Sequence, residues 1–148
     1  MKKLILHIAT TLSLCLMLGL AVNAQTTNQM TITIPFEFNV GKKALPAGTY
    51  TVYKTSAQSG DGFLLRDKDG DVKIFFYTQS VQTRKVESRS RVEFHRYNDK
   101  YFLARIWSGG NNIGRELKKS RLEREAAKEA RHLAQTDVRH EIVTVAIQ

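Results

Sequence analysis

Cysteine is nearly missing from this chain: one in 148 residues, Cys15, set inside an N-terminal apolar run. Leu14 precedes it and further apolar residues follow. A lipoprotein signal instead needs a small residue just before a cysteine at the end of the run, so the pattern argues against lipidation. Past this run there is no thiol, which excludes disulfides, thiolate metal sites and cysteine nucleophiles together. Stability must come from packing. Beyond Leu4–Leu20 there is no long apolar run, so no transmembrane segment is expected in the mature chain. Internal repeats and low-complexity tracts are absent too.

Catalytic signatures are equally scarce. There is no Gly-x-Ser-x-Gly elbow, and His140-Glu141 lacks the second histidine of a zinc-protease helix. Gly109-Gly110-Asn111-Asn112-Ile113-Gly114 has the glycine spacing of a phosphate loop. Arg115-Glu116 follow where Lys and Ser/Thr are required, so a flexible turn leaving Trp107 is expected. Asp67, Asp69 and Asp71 invite a calcium reading. Counting from Asp67, however, glycine falls at the fourth position and threonine at the twelfth, where an EF-hand needs glycine sixth and glutamate twelfth. No catalytic residue, metal or cofactor is assigned, and a non-enzymatic protein is expected. A serine–histidine–acid site assembled in space near His95 is the hydrolase alternative.

What is present begins with Met1-Lys2-Lys3, the apolar run, and short residues at Val22-Asn23-Ala24. This is the pattern of a secretory signal peptide with cleavage after Ala24, and it predicts a periplasmic or secreted protein. Residues 25–29 read as a polar linker, and residues 30–148 as a single domain large enough for a real core. Lys and Arg number 23 against 14 Asp and Glu, a formal charge of +9. For an exported protein this basicity points to an anionic envelope polymer or envelope protein as partner, not nucleic acid; plain solubility explains it equally well. Arg84, Lys85, Arg89 and Arg91, with Lys118, Lys119, Arg121 and Arg124, form a candidate polyanion surface.

Alternation dominates the rest. Met30, Ile32, Ile34, Phe36, Phe38 and Val40 share one parity, which predicts a half-buried strand with Pro35 at an edge or bulge. Tyr50 and Val52 repeat the pattern. Between them Leu45 anchors the connection, and Pro46-Ala47-Gly48 predicts a type II turn with Gly48 at positive φ. Residues 63–66 and 72–81 flank Asp67-Lys68-Asp69-Gly70-Asp71, a hairpin in which both central residues need positive φ. Residues 91–97 and 101–107 flank a second turn at Asn98-Asp99-Lys100, and 84–90 form a charged loop or strand end.

Ser120-Arg121-Leu122-Glu123 fits a capping box that opens a helix over about 121–134. Leu122, Ala126, Ala130 and Leu133 form its narrow stripe, with Ala127 and Ala134 beside it, suited to close packing on a sheet. Val143, Val145 and Ile147 predict a terminal strand. The expected fold is mainly β (α+β): an antiparallel sheet of six or seven strands, curled into a small barrel or sandwich, with one C-terminal helix packed on it.

Aromatic and guanidinium groups gather on the second hairpin. Arg91, His95, Arg96, Tyr97, Tyr101, Arg105 and Trp107 are a candidate ligand surface for sugars or a polysaccharide. The competing expectation is that these rings are buried on both sheet faces beneath the helix. His95 has parity opposite to Val92 and Phe94 and should face solvent or a second layer.

Three segments carry a resemblance: IPFEFNVGKKALPAGTYTV, FHRYNDKYFLARIWSGGNNIGREL and SRLEREAA. Together they resemble a family of small exported bacterial proteins of uncharacterised function, with an Ile-Pro-Phe-x-Phe-x-Val-Gly start and a Leu-Pro-Ala-Gly-x-Tyr-x-Val continuation. Lys118-Lys119 departs from it, standing where a proline is expected before the helix cap. The resemblance implies one exported domain and brings no catalytic residue or cofactor.

Overall fold

The computed structural model describes residues 29–55, 62–133 and 141–147. The expected signal peptide, Cys15, most of the expected linker, Ala134 and His140 lie outside them. Two sheets face each other and a helix covers the back of one, giving three layers. The strands are β1 (Gln29–Ile34), β2 (Phe38–Val40), β3 (Lys43–Leu45), β4 (Gly48–Lys54), β5 (Gly62–Asp67), β6 (Val72–Tyr77), β7 (Gln79–Gln82), β8 (Arg91–Tyr97), β9 (Lys100–Trp107), β10 (Ile113–Glu116) and β11 (Glu141–Ala146); the helix α1 is Arg121–Leu133.

The first sheet runs β1-β4-β5-β6 and the second β11-β8-β9-β10-β7, with β2 and β3 attached beside β9. Among the described residues, pairing is antiparallel except for a single parallel bridge, Asn39 to Phe102. Neither sheet closes on itself, so the expected barrel-or-sandwich resolves to a sandwich. Ile32, Ile34, Tyr50, Val52, Phe63 and Leu65 from the first sheet meet Val92, Phe94, Leu103 and Ile106 from the second. Phe38 joins them, edge-on to Tyr50 at 5.3 Å and to Phe94 at 5.5 Å.

Eleven strands appear among the described residues, against the six or seven expected, because two expected strands change sheets partway and the short β3 and β10 add to them. The 30–40 alternation is interrupted at residues 35–37: β1 pairs with β4, whereas β2 pairs with β3 and β9. Pro35 lies at this crossing, where its missing N–H interrupts no ladder. The 72–81 run divides likewise at the buried Thr78, with β6 in the first sheet and β7 in the second. A strand can change sheets without disturbing the parity of its side chains, so periodicity alone shows one strand.

The turns differ in detail from expectation. Gly48 opens β4 opposite Ile34 and does not have positive φ; Gly41 does, at 64°. Tyr50 Oη donates to the Pro46 carbonyl at 2.7 Å and holds the corner in the place of a type II turn. In the β5–β6 hairpin only Gly70 is left-handed. Its N–H donates to the Asp67 carbonyl at 3.1 Å, and Asp67 Oδ1 accepts from the amides of Asp69 and Asp71. Asp67 Oδ2 meets Lys73 Nζ at 2.6 Å, so this carboxylate serves the turn. The glycine-rich stretch after Trp107 does turn, with Gly110 at φ 78°, but ends in β10.

Ser120 caps α1: its Oγ accepts from the Glu123 amide at 3.1 Å. The Glu123 carboxylate does not complete the box. It turns inward to β8, so the buried stripe is Glu123, Ala126 and Ala130, while Leu122 is 38 % exposed. Alanine lets the helix approach Tyr97 and Phe102 of the sheet beneath.

Candidate functional site

The second hairpin presents two faces. Val92 and Phe94 point into the sandwich, which sends Arg91, Glu93, His95 and Tyr97 to the back, towards α1. There His95 Nδ1 lies 2.7 Å from Glu123 Oε1, with both side chains 6 % exposed. Tyr97 Oη donates to the same carboxylate oxygen at 3.4 Å and accepts from Lys119 Nζ at 3.2 Å. Burial is the main reason the Tyr97 phenol is pushed above its ordinary pKa, with Lys119 opposing and Glu123 reinforcing the shift.

Further along the same face the arginines are paired. Arg91 forks onto Glu87 and onto Glu93, the latter at 3.0 Å, and its guanidinium lies 5.4 Å over the buried Trp107 ring. Arg105 bridges Glu93 at 3.4 Å and Glu116 at 2.8 Å. Arg96 and Tyr101 belong elsewhere. Arg96 meets Glu141 at 3.1 Å and covers the Tyr101 ring, which stacks on Phe36 at 4.0 Å. The seven candidate ligand residues thus divide between two faces. The five at the back form a closed polar layer in which carboxylates already take the cations.

The candidate polyanion residues divide as well. Arg84, Lys85 and Arg89 are exposed on the loop before β8, which backbone hydrogen bonds join to the 109–112 turn. Lys118, Lys119, Arg121 and Arg124 surround the start of α1, near Tyr97. Six strand steps of β8 separate these two ends, roughly 20 Å at 3.3 Å per residue.

Two further features stand outside the candidate residues named from the sequence. The back of the first sheet carries exposed aromatics. Phe75 is 43 % and Tyr77 67 % exposed, edge-to-face at 4.9 Å, with Tyr53 on the same face under Arg66. The consecutive Phe75-Phe76-Tyr77 does signal that a ring must point outward. The other feature is a cleft of about 630 Å³ at the end of the sandwich, between the start of β1 and the β9–β10 turn. Met30, Phe63, Ile106 and Ile113 supply its apolar surface, and Lys54 and Arg115 are its cations. These residues come from five strands, so no local pattern could have revealed it.

Chemically, the His95–Glu123 pair is an acid–base couple shut beneath a helix, whereas the cleft is open to a ligand. No family model, curated protein or solved structure matches this chain.

Proposed function

We propose that this protein is an exported, non-enzymatic β-sandwich of the cell envelope that acts by binding. The carrying observation is that the best acid–base couple, His95 with Glu123, is sealed between α1 and the second sheet while a partly apolar cleft stands open at one end. A general base must come within hydrogen-bond reach of its substrate, and a pair 6 % exposed offers little room for one. The signal-like residues 1–24 support export. Two outcomes test the reading in one expression experiment. Protein recovered outside the cytoplasm should begin at Gln25, and it should show no hydrolysis of envelope esters, peptides or glycans. Cytoplasmic retention of the uncut chain, or a hydrolytic rate abolished by His95→Ala with the fold intact, would overturn it.

The back of the first sheet favours a second reading, binding of a neutral glycan. Phe75 and Tyr77 offer ring faces, and the paired hydroxyls of Thr31 and Thr51 (3.2 Å) and of Thr33 and Thr49 (3.0 Å) lie on the same face, on β1 and β4 across β5 from the rings. Aromatic faces stacked on sugar rings with flanking hydroxyls are suited to such a ligand. Sedimentation with insoluble envelope polysaccharide, lost in Tyr77→Ala at unchanged melting temperature, is the expected result. Equal retention of the variant would remove this reading.

A further inference from the structure

We propose that the loop between β7 and β8 docks the protein on an anionic phospholipid surface, with Arg84, Lys85 and Arg89 on the head groups and Val86 reaching the acyl boundary. The inference rests on the binding reading above and names the partner. Backbone hydrogen bonds fix the loop. The Thr83 amide donates to the Asn112 carbonyl and the Glu87 amide to the Asn111 carbonyl, each at 2.9 Å. The Gly110 amide returns a bond to the Glu87 carbonyl at 2.8 Å, and the Gly109 amide donates to Ser90 Oγ at 2.9 Å. Between the first two bonds Arg84-Lys85-Val86 stand out as a three-residue projection, all of it exposed. A projection held at both feet has little backbone freedom to lose on docking.

Charge selects the surface. The loop holds one acid, Glu87, and Arg91 at the start of β8 forks onto its carboxylate. Arg84, Lys85 and Arg89 have no ion pair among the described residues, so the loop presents three cations to solvent. The basic group at the start of α1 differs, because its side chains are engaged. Arg121 meets Glu125 at 2.8 Å, Arg124 donates to the Lys119 carbonyl at 2.6 Å, and Lys119 donates to Tyr97 Oη. Each free basic side chain near an anionic bilayer adds to the attraction. Val86 decides between a bilayer and a soluble polyanion. It is 63 % exposed among the cations. A hydrated acidic polymer leaves that side chain in water, whereas the acyl boundary removes it.

The test is sedimentation of the chain from Gln25 onward, which holds every described element, with vesicles of phosphatidylglycerol mixed with phosphatidylcholine. The protein should bind these vesicles at low salt, lose them as salt rises, and leave pure phosphatidylcholine vesicles unbound. Arg84→Gln with Lys85→Gln should weaken binding about 25-fold, roughly fivefold for each basic contact. Lys118→Gln with Lys128→Gln removes the same charge beside α1 and should leave the affinity as it was. Val86→Ser should weaken vesicle binding, and the emission of Val86→Trp should shift to the blue when anionic vesicles are added. All these positions are exposed, and unchanged melting curves confirm that the variants fold.

Dextran sulfate separates the two kinds of polyanion. Tighter binding to it than to vesicles, with no effect of Val86→Ser on either, would overturn the proposal in favour of a soluble acidic polymer. Absence of vesicle binding at low salt, or equal binding to pure phosphatidylcholine, would overturn it as well. So would an equal loss in the two double variants, which would mean that net charge alone acts. None of these results touches the export and hydrolysis outcomes that decide the wider reading.

Discussion

Gly114 sits in β10 against the Trp107 ring, and a Cβ added to it would come within 2.5 Å of the indole. Trp107 is buried under Arg91 and cannot swing away without disturbing the carboxylate–arginine network. Gly114→Ala should therefore destabilise the protein by about 1–3 kcal/mol, the usual cost of overpacking, read as a lower denaturation midpoint. Glu123 is the other residue whose neighbours fix its role. Glu123→Ala removes the acceptor shared by His95 and Tyr97 and leaves buried polar groups short of a partner. A loss of about 1–3 kcal/mol is expected in the same measurement, with Glu123→Gln recovering part of it.

At the scale of elements, the β5–β6 hairpin is held by one carboxylate. The hydrogen bond from Lys73 is the largest influence keeping the Asp67 carboxyl below its ordinary pKa; burial, the next largest, opposes it, and the amides of Asp71 and Asp69 add to the lowering. A depressed pKa in the folded state means that this contribution is whole above the ordinary carboxylate value of about 3.9 and is lost as pH falls through the folded value. An NMR titration should place the Asp67 midpoint below the ordinary range, and Lys73→Met should raise it. For α1 the cap and the alanine stripe act separately. Ser120→Ala should cost about 1 kcal/mol by freeing the Glu123 amide. Ala130→Leu should cost about 1–3 kcal/mol, because the buried alanine face leaves no room against Tyr97 and Phe102.

For the molecule as a whole, the two sheets share one core, and Phe38 is where they meet. It is fully buried, at 0 % exposure, and touches Tyr50 of the first sheet and Phe94 of the second. Phe38→Ala should remove about 3–5 kcal/mol. Both sheets should then melt earlier in one transition by circular dichroism and by tryptophan fluorescence. Separate transitions would mean that the sheets fold independently.

Local physics made much of the fold legible in the sequence. Side-chain parity identified the core faces of β1, β4 and β8. Asp-Gly and Asn-Asp marked two hairpins, serine marked the start of α1, and the alanine content of that helix foretold close packing on a sheet. These signals act between residues near in the chain, where period and turn chemistry operate. What remained hidden depends on residues distant in the chain. The sheet changes at residues 35–37 and Thr78 preserve parity and so leave no trace in it. Glu123 lies on the same helical stripe as Ala126 and Ala130, yet Leu122 was the more apolar choice. Only the presence of His95 and Tyr97 across the layer makes the acid the buried one. The arginines and rings of the second hairpin looked available because, apart from Glu93 in β8, their carboxylate partners Glu87, Glu116, Glu123 and Glu141 lie on other segments. The cleft, drawn from five strands, exists only once the two sheets are brought together. The sequence by itself determined which residues form strands and helix, because those choices rest on backbone preference and period. Tertiary structure alone decided which polar groups are satisfied internally and which stay open at the surface, because that depends on long-range neighbours and burial.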